Sequence, residues 1–178
     1  MTRAKLWAGG AALLAGTLLA AAGVTAQQES TNRVAAETDW SVFVEEDPRA
    51  CWSVSSPREW VASRGGNEVQ VRRGDILLFV TYRPGDNVQG EISYTGGYPF
   101  RPDSTVSVEI ADETFQLFTA GDWAWPANPE DDARLMAAMR AGAEAIVTGV
   151  SSRGTQTRDT FSLFGFTAAT TEAERRCQ

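Results

Sequence analysis

Hydrophobic residues in this chain recur mostly at every second position, the period of a strand whose two faces meet different surroundings. Trp40, Val42 and Val44 alternate with Ser41, Phe43 and Glu45, and Val69 and Val71 alternate with Glu68, Gln70 and Arg72. Each stretch reads as a strand with one wetter face. Residues 76–82 form a continuous apolar run broken only by Thr81, the pattern of a central strand covered on both faces. Further strands are expected around residues 91–95, 105–110, 114–119, 145–151 and 157–164. Arg64-Gly65-Gly66-Asn67, Pro84-Gly85-Asp86-Asn87, Gly96-Gly97 and Ser152-Arg153-Gly154-Thr155 supply the turns between them, because these residues tolerate positive φ or preset a bend. Many short strands at this spacing predict a mainly β domain, a sandwich or a barrel.

One helix interrupts the strands, and its ends are marked. Asn128 can cap, Pro129 suits the first turn, and Glu130, Asp131 and Asp132 place negative charge at the positive end of the helix dipole. Gly142 ends it, and Leu135, Met136 and Met139 give a narrow apolar stripe that should lie against the strands.

The start of the chain has a different character. Arg3 and Lys5 precede an apolar run at residues 6–22, and Val24-Thr25-Ala26 offers a cleavage site, so residues 1–26 read as a secretory signal peptide with the mature chain beginning at Gln27. Residues 27–38 are polar and lack large apolar side chains, and read as a flexible linker ahead of a domain spanning residues 39–178. Removing the signal with its two basic residues leaves 152 residues and moves the formal charge from −7 to −9. A chain of that size buries about 70% of its unfolded surface in one core. Its acidity argues against nucleic acid as a partner, and no later apolar run is long enough to span a membrane.

Two cysteines remain, Cys51 near the start of the domain and Cys177 one residue from its end. An even pair in an exported protein reads as a disulfide, with two free thiols as the alternative. A short helical segment at residues 171–176 would deliver Cys177 to its partner.

Composition narrows the chemistry further. The chain has no histidine, and its one lysine, Lys5, leaves with the signal. A Ser-His-Asp triad, a histidine metal site and a Schiff-base lysine therefore have no residues to build them. Glu91, Glu109 and Asp159 fall on expected strands and could serve a carboxylate hydrolase only if they converge. The run Glu130-Asp131-Asp132 lacks the alternating pattern of a calcium loop and reads as helix-start chemistry. Residues 152–157 lack the lysine and the strand-to-helix setting of a phosphate loop and read as a hairpin turn. No metal and no cofactor is expected.

Aromatic residues carry more information. Tyr98 and Phe100 flank Pro99 beside a turn, and Trp123 and Trp125 fall on one side of their stretch if it is extended. All four are candidate binding residues, with packing at the rim of the core as the competing use of the same rings.

An ordered set of motifs resembles the invasion-associated locus B family. It comprises Cys51-Trp52, Val80-Thr81-Tyr82 with Pro84-Gly85, Gly90-Glu91-Ile92-Ser93-Tyr94, Gly97-Tyr98-Pro99-Phe100, Trp123-Ala124-Trp125, Met139-Arg140-Ala141-Gly142, and the stretch from Ser151 to Phe166. The resemblance spans residues 40–177. It implies a periplasmic or secreted, immunoglobulin-like β-sandwich, here with one short crossover helix, and an association with host-cell invasion. Both cysteines fit the family pattern, and the resemblance implies no reaction. The function expected is that of an exported, noncatalytic cell-envelope protein that binds a protein or a cell-surface glycan. The alternative is a periplasmic accessory, stress-protective or inhibitor-like module, with a carboxylate-dependent hydrolase behind it.

Overall fold

The computed structural model describes residues 32–178, and the expected signal peptide at residues 1–26 lies outside them. Along the chain the strands are β1 (Arg33–Glu37), β2 (Trp40–Glu46), β3 (Arg49–Ser55), β4 (Glu59–Arg64), β5 (Asn67–Glu68), β6 (Leu77–Arg83), β7 (Val88–Thr95), β8 (Thr105–Ile110), β9 (Glu113–Ala120) and β10 (Trp123–Trp125). Helix α1 (Pro129–Ala141) follows, then β11 (Glu144–Val150), β12 (Gln156–Ser162) and helix α2 (Phe166–Arg176). All described strands pair antiparallel in one sheet, in the order β1-β2-β3-β6-β7-β10-β9-β8-β11-β12-β4-β5.

That sheet is pressed face to face against itself. Tyr94 on β7 meets Phe161 on β12 edge-on, with centroids 6.2 Å apart. The Trp40 indole on β2 donates to the Ser162 carbonyl on β12 at 3.0 Å. Strands β10 and β9 carry the hydrogen bonding from one half to the other. The core between the halves includes Val42, Val80, Ile92, Val106, Val147 and Phe161, all fully buried. The domain is thus mainly β, as the alternation predicts, but both layers of the packing are cut from a single sheet.

Two helices complete it, the expected crossover helix and a longer form of the helical segment expected at residues 171–176. Helix α1 begins as predicted: the Asn128 side chain accepts from the Glu130 and Asp131 amides at 3.1 and 3.0 Å. Asn128→Ala should cost about 1 kcal/mol, read as a lower urea midpoint with an unchanged slope. Helix α2 starts five residues earlier than the expected segment at residues 171–176. It buries Phe166, Ala169 and Ala173, and Phe166 packs edge-on against Trp40 at 5.0 Å. Its end brings Cys177 to Cys51 on β3, and the two form the disulfide, Cα atoms 5.9 Å apart.

Two local expectations are corrected. Residues 33–37, read as part of a flexible linker, form edge strand β1, in which Ala35, Ala36 and Glu37 pair with Val42, Ser41 and Trp40. A backbone ladder holds this stretch, so the lack of large apolar side chains is no obstacle. Residues 69–76, which include the alternating Val69 and Val71, form no strand beyond Glu68. They are tied instead by single bonds: Val69 N–H to the Ala62 carbonyl at 2.9 Å and Gly74 N–H to the Gly97 carbonyl at 2.9 Å. Gly97 has φ +70°, and a Cβ there would fall 2.5 Å from the Gly74 oxygen, so only glycine permits this approach.

Candidate functional site

The structure divides the four sequence-selected rings into two pairs. Phe100 is buried and packs edge-on against Tyr98, centroids 5.1 Å apart. The half-buried Tyr98 shares a 2.6 Å hydrogen bond with Thr157. These two rings belong to the rim of the core. Trp123 and Trp125 lie on the other side of the sheet, because β10 turns the intervening Ala124 fully inward. Their indoles stack with centroids 6.4 Å apart and planes 25° from parallel.

This stacked pair is part of a longer row. Trp125 stacks on Phe118 at 5.5 Å, and Trp123 meets Phe79 at 5.7 Å. Farther along the same face Phe43 and Trp52, directly opposed on β2 and β3, stack at 5.7 Å and 7°. Cross-strand aromatic pairs of this kind stabilise a sheet, but they ordinarily face the core. Here Trp123 and Phe118 remain 37% and 47% exposed.

The rings floor an open groove of about 900 Å³ lined by Trp52, Phe79, Phe118, Trp123 and Trp125. Its polar edge is supplied by Arg83, Glu91 and Asp132. Arg83 pairs with Glu91 at 3.2 Å. Asp132, in the first turn of α1, accepts from the Ile92 amide of β7 at 2.8 Å. Burial pushes the Asp132 carboxyl above the usual carboxylate value, against the Ile92 N–H, with Glu91 and Asp131 adding to the rise. The result is a set of flat apolar faces with hydrogen-bonding groups at their margin.

The three carboxylates considered for hydrolysis do not share a site. Glu91 stands in the aromatic groove, Glu109 lies 3.9 Å from Arg158, and Asp159 is fully buried. Both Asp159 oxygens accept from Arg73 at 2.6 Å, and Tyr94 donates a further hydrogen bond to it. Arg73 also donates to the Gly96 carbonyl at 2.8 Å and lies 5.2 and 5.1 Å from the Trp60 and Tyr98 ring centres. Burial pulls the Arg73 pKa down, and the Asp159 carboxylate more than offsets it. Burial, reinforced by Asp159, pushes the Tyr94 phenol well above its ordinary value, so it stays protonated and donating. Asp159 therefore anchors residues 69–76 to β12 and has no face open to a substrate. Among the described residues no group of three or more acidic or sulfur side chains could hold a metal ion.

Comparison with known proteins adds a family and a fold. A family model described as invasion associated locus B (IalB) protein matches residues 102–174. This stretch, somewhat under half of the chain, is similar to the IalB family. Among solved structures, the crystal structure of invasion associated protein B from Bartonella henselae is similar with a TM-score of 0.51 at 14% identity, covering 78% of this chain and 94% of that one. At that identity the likeness is one of fold. No curated protein matches the chain.

The IalB match runs from just before β8 into α2, so it contains Phe118, Trp123, Trp125 and Asp132 of the groove. Trp52 and Phe79, which complete the floor, come from the earlier strands β3 and β6. The two cysteines also flank the IalB match, and the disulfide joins the earlier strands to its far end.

Proposed function

We propose that the protein is an exported, noncatalytic component of the cell envelope that binds a cell-surface glycan in its outer aromatic groove. The observation carrying this reading is the row of rings in contact formed by Phe79, Trp123, Trp125 and Phe118, which lines an open groove with Trp123 and Phe118 exposed. Indole faces pack against the C–H face of a sugar ring, and the groove's carboxylates and guanidinium supply partners for its hydroxyls. Export is supported by the disulfide, which persists in oxidising compartments. Among the described residues no helix is long and apolar enough to cross a membrane. The IalB match supports a role in host-cell invasion or attachment.

The noncatalytic reading rests on the engagement of the polar groups at the groove: Glu91 is paired with Arg83, and one Asp132 oxygen with a backbone amide. Trp123→Ala and Trp125→Ala should each weaken glycan binding by about 1–2 kcal/mol, roughly 5- to 30-fold in Kd, with stability held within about 1 kcal/mol. Calorimetric titration against a panel of host-surface and bacterial-envelope glycans, paired with thermal melts, reads both. A collapse in stability would return these indoles to the core. Glycan turnover abolished by Glu91→Gln would make the groove an active site.

A further inference from the structure

A second cavity, of about 480 Å³, lies between β12, the 97–99 turn and the strap at residues 70–73. Arg64, Arg72, Arg73 and Arg153 all line it, and among the described residues no Asp or Glu does. This is unexpected in a chain with 23 acidic against 16 basic side chains. The Arg73 charge is already met by Asp159. Among the described residues the other three have no carboxylate partner: Arg64 donates to the Thr155 hydroxyl at 2.6 Å, and the side chains of Arg72 and Arg153 make no hydrogen bond or ion pair with a described residue. Arg101 reaches the same turn, its Nη2 standing 3.4 Å from where a Cβ on Gly154 would sit.

Like charges gathered without counter-charge repel one another and weaken the compact state. A ligand carrying two negative charges would relieve that repulsion. Guanidinium forks match the geometry of phosphate and sulfate oxygens, each able to offer two parallel N–H donors. Gln70 and Ser152 add neutral donors at the same cavity. We propose that this cleft, separate from the aromatic groove, is a binding site for a tetrahedral oxyanion, a phosphate or sulfate group held by Arg64, Arg72 and Arg153. Arg73, locked to Asp159 and flanked by Trp60 and Tyr98, shapes the wall and positions the strap.

The test is calorimetric titration of the mature protein at low salt with three probes: inorganic phosphate, inorganic sulfate and a heparin-derived hexasaccharide. At least one should bind with Kd below about 1 mM. The exposed double variant Arg72→Gln/Arg153→Gln should weaken that binding tenfold or more while keeping the circular dichroism spectrum of the parent. Its melting temperature without ligand should be equal or higher, since the substitution removes repulsion. Binding of the free ions assigns the site to a free anion, and tighter binding of the hexasaccharide alone assigns it to a sugar-borne sulfate. Trp123→Ala should leave these affinities unchanged, so this site and the aromatic groove stand or fall separately. No binding of any probe, or equal binding to the parent and the double variant, overturns the proposal.

Discussion

Replacing Asp159 with alanine is expected to remove about 3–5 kcal/mol of stability, the largest effect of any single change considered. The substitution leaves the Arg73 guanidinium, 3% exposed, without its counter-charge and leaves the Tyr94 hydroxyl without its acceptor. A buried charge that loses its partner bears its full desolvation cost, whereas an exposed ion pair such as Arg175 with Glu172 contributes at most about 1 kcal/mol. Against a total stability of roughly 5–15 kcal/mol for a domain, such a loss is large. Chemical denaturation of Asp159→Ala beside Glu172→Ala should show a large drop for the first and almost none for the second. The paired replacement Arg73→Met/Asp159→Leu should recover much of the loss, because it removes both charges while keeping side-chain volume. Equal, small losses for the two single variants would mean that the strap at residues 69–76 is held by its backbone bonds alone.

The second large effect concerns the disulfide. Cys51 and Cys177 are separated by 126 residues, so the bridge restricts nearly the whole unfolded domain. Chain-entropy arguments give about 4–5 kcal/mol for a loop of this length, and removing native bridges generally costs about 2–5 kcal/mol. The double variant Cys51→Ser/Cys177→Ser should therefore unfold at a much lower denaturant concentration. Helix α2 should still form, since Phe166, Ala169 and Ala173 pack into the core independently of the sulfur atoms. Reductant should lower the melting temperature of the parent and leave the variant unmoved. A parent insensitive to reductant would remove the bridge from the account of stability.

Strands β2, β8 and β9 were legible because most of their apolar residues alternate inward. The continuous run placed β6, but only one of its faces is covered: Phe79 and Thr81 on the other line the open groove, a correction to the expectation of a strand covered on both faces. The α1 start was legible because Asn128 and Pro129 are local signals whose effect depends on nothing distant. Strand β3 hides its identity by turning Ser53 and Ser55 inward and leaving Trp52 and Val54 less buried, which inverts the usual pattern. In β4 the small Ala62 is buried while Trp60 and Val61 stay exposed. The first turn of α2 follows Gly165, which offers no side-chain cap, and Thr170 bonds back to the Phe166 carbonyl at 2.9 Å.

At the candidate site, spacing alone put Trp123 and Trp125 on one face. Their neighbours Phe79 and Phe118 could not be added, because they reach the row through strand order and register. Tyr98 and Phe100 were equally visible as an aromatic pair, but the bridge from Phe100 to Ser151 places them at the rim of the core. The contact between Arg73 and Asp159 links positions 86 apart and has no local trace.

The glycan-binding reading is tested most directly by following the indole N–H signals in a nuclear magnetic resonance titration with a glycan that binds in calorimetry. Trp52, Trp123 and Trp125 line the groove, Trp40 is sealed in the core at 1% exposure, and Trp60 lies beside Arg73 away from the row. Saturating glycan should shift the signals of Trp52, Trp123 and Trp125 and leave those of Trp40 and Trp60 in place. Binding that leaves the three groove indoles unmoved would contradict the assignment of this face as the binding surface.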